Sequence, residues 1–161
     1  MRDFSKRPLR LIGIGNLWRG DDGAGIILAE RIRKERLPAL EVILHQGDGA
    51  SLISLWEGVD RVILVDAICG QGAAGRLLRF DLQKEPLPEN IFPVSTHALG
   101  IPEALQIVKK LHQPLPPSFL LFGITGERFD WGAKPSFDIA SLAETFLNRI
   151  KRVMAAPVHF V

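Results

Sequence analysis

The chemistry of this sequence begins with residues of unusual type for their surroundings. Asp21 and Asp22 stand side by side in GIGNLWRGDDGAG (residues 13–25), Asp66 interrupts the apolar run RVILVDAI (61–68), and His97 lies in STHALG (95–100). A carboxylate within an apolar strand carries a heavy desolvation cost unless it is paired, hydrogen-bonded or metal-bound. One acid from the glycine-rich segment, one from the strand and one imidazole give two oxygens and a nitrogen. That set suits a borderline divalent ion such as nickel, zinc or manganese. Three protein ligands leave positions open for water or for groups on a substrate. Without a cysteine ligand the ion would be held with moderate affinity and would exchange.

Each residue also has a plainer reading. Either aspartate of the pair can cap a helix or complement its dipole, and one is enough for that task. Asp66 could be a buried carboxylate bonded to backbone amides or to an arginine, and His97 could cap or pack where a loop meets a helix. His45, His112 and His159 are weaker ligand candidates, one at a strand end, one among prolines and one in the tail. Cys69 follows Asp66 closely but reads as a small buried hydrophobe. As the single cysteine it excludes an internal disulfide and a cysteine-built zinc cage. The glycines of residues 13–25 also invite a dinucleotide reading. The fingerprint G-x-G-x-x-G requires glycine where this chain has Trp18, and the Asp21-Asp22 pair would repel a phosphate there.

The elements that must position these residues follow from periodicity. Leu9 to Gly15, Leu40 to His45, Arg61 to Ile68 and Ser118 to Ile124 are short apolar runs, expected as buried strands. Arg76 to Leu82 is expected as a strand running back at an edge. Asp22 to Arg36 places Ala24, Ile27, Leu28 and Ile32 on one helical face and charged residues on the other. Ser51 to Glu57 is a short helix closed by Gly58. A third helix begins near residue 98 and carries Ala104, Leu105, Val108 and Leu111 on one stripe. The last uses Ile139, Leu142, Ala143, Phe146, Leu147, Ile150 and Val153. Residues 84–96 and 125–137 are loops. Alternating strands and helices imply an α/β three-layer sandwich: a mostly parallel, twisted sheet with helices on both faces. Ligands of such sheets bind outside the carboxyl ends of the strands. That rule points after Gly15, at Asp66 and just before the third helix.

The chain of 161 residues fits one domain, 1–161, and its net charge of +2 gives no basis for nucleic acid or an anionic membrane as partner. The N-terminal run lacks the uncharged stretch of a signal peptide, and no segment approaches the length of a membrane span. A cytoplasmic monomer is expected.

GIGNLWRGDDGAG, VILVDAI and STHALG, in that order and at these separations, resemble the hydrogenase maturation proteases, over roughly residues 10–150. The resemblance implies a doubly wound, phosphorylase/hydrolase-like sheet of five strands. It also implies an endopeptidase that removes a C-terminal extension from the precursor of a nickel-iron hydrogenase large subunit. Carried over, Asp22, Asp66 and His97 would be both the catalytic residues and the metal ligands. Some members have glutamate where this chain has Asp22, and the shorter arm would shift the ion slightly. Asp21 is left as the cap or as a support for the ligands. The segment Gln46 to Ala50 matches a substrate-contacting stretch in which Asp48 is a lesser candidate. Nickel would arrive with the substrate, with zinc or cadmium able to stand in for it. The alternative of a different class is a nickel-binding assembly chaperone that uses the same side chains without cutting. Peptidyl-tRNA hydrolases share the G-x-G-N strand end, but they continue with Pro-Gly where this chain has Leu17-Trp18.

Overall fold

The computed structural model describes residues 7–46, 48–93 and 100–157. Its elements in chain order are β1 (Leu9–Ile14), α1 (Ala24–Lys34), β2 (Leu40–His45), α2 (Gly49–Trp56), β3 (Arg61–Ile68), β4 (Leu77–Asp81), α3 (Ile101–Lys110), β5 (Ser118–Thr125) and α4 (Ala143–Ala155). The five strands form one sheet in the order β2-β1-β3-β5-β4. Four run parallel, and β4 pairs antiparallel with β5 at the edge, as Arg76 to Leu82 was expected to do. The expected α/β sandwich is therefore present.

The two sheet faces bury different helices. Leu11, Ile63, Val65 and Phe122 meet Leu28 and Ile32 of α1 and Phe146 and Ile150 of α4. On the opposite face Ile12, Val62, Leu64 and Phe119 meet Leu52 and Trp56 of α2 and Ala104 and Val108 of α3. Edge-to-face ring pairs mark the centre of each layer: Phe122–Phe146 at 5.6 Å and Trp56–Phe119 at 5.0 Å. Because strand side chains alternate, Asp66 points to the same face as Val62 and Leu64, toward α2 and α3.

The chain leaves β1 through α1 to reach β2 on one side, then crosses through α2 to β3 on the other. The carboxyl ends of β1 and β3 thus flank the switch point where such sheets open a crevice. Helix α1 lies directly on this point because Gly25 carries no side chain. A Cβ there would meet the carbonyl oxygens of Ile14 and Val65, each at 2.3 Å.

The starts of α1 and α2 differ from expectation. A single 3-10 turn, Gly20–Gly23, precedes α1, which begins at Ala24 instead of Asp22. Asp48 accepts from Ala50 N–H and starts α2 at Gly49, earlier than Ser51. Helix α3 starts at Ile101, where the Gly100 N–H donates to the Glu103 carboxylate at 2.8 Å. At the opposite end of the sheet, Arg61 is buried and donates to the last carbonyls of α4, Val153 and Met154. A cation suits that helix end.

Candidate active site

Asp22 and Asp66 line one cavity of about 530 Å³ at the carboxyl ends of β1 and β3. Its walls come from Ile14 to Asn16, from Gln46, from Leu52 of α2, from the segment Leu87–Pro93 and from the first turn of α3. Asp22 reaches the cavity because the chain turns sharply after β1. Gly15 adopts a φ of 155°, and a Cβ on it would stand 2.1 Å from the Asp22 carbonyl oxygen. That same carbonyl accepts from Asn16 N–H at 3.1 Å, closing the turn.

Asp66 is 9 % exposed. One carboxylate oxygen accepts from the N–H of Ala67 at 2.8 Å. Burial pushes its carboxyl well above the ordinary aspartate range, the negative charge of Asp22 pushes it further, and the Ala67 bond only partly opposes them. Among the described residues no arginine pairs with it, and the amide bond from Ala67 only partly offsets its burial. Two carboxylates that repel each other beside open space form the kind of oxygen-rich pair that a cation would relieve. Arg19 also lines the cavity, with its guanidinium 4.0 Å from Asp22. It donates to the Phe129 carbonyl at 3.1 Å and stands 5.9 Å from the centre of the Trp131 ring.

His97 lies outside the described residues, which stop at Pro93 and resume at Gly100, both on the cavity wall. Among the described residues no group of three or more His, Cys, Asp or Glu side chains could hold an ion. The described part of the donor set is therefore the Asp22–Asp66 pair, and its chemistry fits a divalent cation with an outside ligand.

Asp21 is not a helix cap. Its carboxylate is fully buried and accepts from the N–H groups of Glu127 (2.9 Å), Arg128 (3.0 Å) and Ser136 (2.7 Å) and from the Ser136 hydroxyl (2.6 Å). Burial alone would raise its pKa, but these bonds together outweigh burial and hold it below the ordinary range. Asp21 thus fastens the 127–136 segment under the turn that presents Asp22. The sequence signalled an extra acid in the pair but not its partners.

The lesser candidates take other duties. Asp48 caps α2, while Gln46 lines the cavity. His45 Nε2 lies 2.8 Å from Ser51 Oγ; burial holds its imidazole below the usual range, and Asp48 partly opposes this. Cys69 is half-buried, its thiol pushed up by burial and directed at the Asn90 carbonyl. His112 ends α3 in the left-handed region, with a φ of 51°, and His159 is outside the described residues.

Comparison with known proteins accords with this geometry. The hydrogenase maturation protease (HycI) family model matches residues 26–150. A Methanocaldococcus jannaschii protein, provisionally named hydrogenase maturation protease MJ0253, is 33 % identical over 112 residues, 68 % of this chain and 70 % of its own. Among solved structures, the [NiFe] hydrogenase maturation protease HycI of Thermococcus kodakarensis superimposes with a TM-score of 0.64 at 24 % identity, covering 95 % of this chain and 96 % of that one. The hydrogenase maturating endopeptidase HybD of E. coli gives 0.69 at 17 % identity, with 91 % of each chain covered. At these identities the structural matches speak for the shared fold, and the sequence matches speak for descent. The chain belongs to the hydrogenase maturation protease family, whose members are peptide-bond hydrolases.

Proposed function

We propose that this protease removes a C-terminal extension from the large-subunit precursor of a nickel-iron hydrogenase after nickel has been inserted. In this reading nickel enters as part of the substrate and completes a site made by Asp22, Asp66 and His97. The observation that carries it is the pair of acids, Asp22 and Asp66, brought to one cavity from segments 44 positions apart in sequence. They sit at the sheet's switch point, where a peptide can enter from outside. The proposed setting is the cytoplasm, with the enzyme acting as a monomer.

Substrate-borne nickel would supply a Lewis acid and a positional check on the peptide. The chain's own residues account for the rest. Asp22 and Asp66 offer paired oxygens to the incoming ion. Burial and the neighbouring charge raise the proton affinity of Asp66 well above that of an ordinary aspartate, which suits a carboxylate that accepts a proton from an attacking water. Arg19, on the same cavity wall, stands close enough to Asp22 to help orient it.

The test is to incubate the purified protein with a nickel-loaded, unprocessed large subunit and with the same subunit prepared without nickel, following length by mass spectrometry. Shortening of the loaded form alone is expected. Cutting of both forms would overturn nickel-based recognition. A stable complex with uncut substrate would overturn the proteolytic assignment in favour of an assembly chaperone.

A further inference from the structure

Among the described residues the exposed large apolar side chains are Leu17 (51 %), Trp18 (71 %), Leu111 (61 %) and Trp131 (61 %). Leu111 stands alone just past α3, and isolated surface hydrophobes are ordinary. The other three are not scattered. The Gly132 N–H donates to the Trp18 carbonyl at 2.7 Å, so the segment carrying Trp131 is tied to the one carrying Leu17 and Trp18. Arg19 bridges the same two segments and also faces Asp22. Asn16 and Arg19, which flank Leu17-Trp18 in sequence, line the cavity. An aromatic surface held in place by hydrogen bonds is thus continuous with the rim of the proposed cleavage site.

We propose that Leu17, Trp18 and Trp131 form a docking surface for the folded body of the substrate protein, separate from the cavity that takes the peptide to be cut. This rests on the function proposed above. Exposed tryptophans next to an arginine are the residue types that dominate binding energy when they are buried against a partner. Backbone tethering of both tryptophan-bearing segments lowers the ordering cost of that burial. The position selects the partner. Asn16 and Arg19 put the patch at the edge of the cavity, so a substrate seated there delivers its own tail into it. The complementary surface is an apolar recess beside the root of the tail.

The experiment measures steady-state processing and, separately, equilibrium binding of the unprocessed, nickel-loaded precursor. Trp18→Ala is expected to raise KM and Kd about tenfold or more. The same variant should keep kcat within about twofold, the signature of lost ground-state binding. Trp18→Phe should recover most of the loss, and Leu111→Ala should match the unaltered protein. Unchanged KM and Kd in both Trp18→Ala and Trp131→Ala would overturn the docking surface while leaving the protease function intact. Self-association that Trp18→Ala abolishes would overturn it in favour of a dimer contact. A precursor that binds through Trp18 yet is never cut would sink the proposed function and leave the docking surface standing; no binding at all would sink both.

Discussion

Asp21→Ala removes one acceptor from four donors, and the consequence can be worked from the bonds themselves. Glu127 N–H, Arg128 N–H, Ser136 N–H and the Ser136 hydroxyl all converge on this buried carboxylate. A hydrogen bond to a charged group is worth about 1.5–3 kcal/mol net, and each backbone N–H left buried without a partner costs about 1–3 kcal/mol. These terms overlap, and the 127–136 segment can open enough to admit water, so they do not sum. A loss of about 3–5 kcal/mol is expected, the upper range for one substitution. For a chain of this length that lowers Tm by about 10 °C. Urea unfolding followed by far-ultraviolet circular dichroism reads it directly. Asp21→Asn, which keeps the volume, should also be destabilised, because its amide hydrogens would face N–H donors. The acid limb adds a second reading. A carboxylate held below its unfolded pKa of 3.8 contributes stability above that pH and loses it as pH falls through the folded value. That part of the pH dependence should vanish in Asp21→Ala. A loss under about 1 kcal/mol, within the range of a single ordinary hydrogen bond, would refute the claim that this acid braces the site.

Asp66→Asn should abolish processing yet raise the urea midpoint at pH 7. The folded pKa of Asp66 lies above 3.8, so its stability contribution is full below that pH and is lost as pH rises through the folded value; the variant should lack this decline, and equal pH profiles would contradict it. Gly25→Ala should destabilise by about 3 kcal/mol or more, since its methyl group meets two strand carbonyls that cannot yield, and this outweighs the helix propensity gain of about 1 kcal/mol. A stable, active Gly25→Ala protein would show that α1 need not touch the sheet there. His97→Ala should end processing while leaving thermal unfolding unchanged; loss of the fold would mark the histidine as structural.

The residues that were legible from sequence are those whose environment is set nearby in the chain. Arg61–Ile68 is a strand with the expected bounds because so apolar a run fits a buried position, and Leu40–His45 also keeps its bounds, half-buried at the sheet edge. Asp66 stood out for the same reason, as a charge in such a run, and with Asp22 it meets at the rim that sheet topology pointed to. What sequence could not supply were polar partnerships across long separations. Asp21 reads from sequence as a cap or a support for the ligands, and what decides between them, its donors, lies 106 to 115 positions away. Arg61 is the first residue of the expected strand, but nothing nearby in sequence shows that it is buried under the end of α4, which arrives 92 positions later. Asp48 was weighed as a substrate contact, and the closer demand of capping α2 takes its carboxylate.

The brace on Asp21 also reaches far along the chain. Ser136, which supplies half of the bonds to Asp21, lies 115 residues beyond it in the chain. A domain of this size generally folds as a unit. The turn bearing Asp22 is therefore fixed only once the chain through Ser136 has closed on Asp21. The brace thus makes the shape of the cleft depend on a segment far downstream, and damage to that distant segment would reach the cavity without touching its walls.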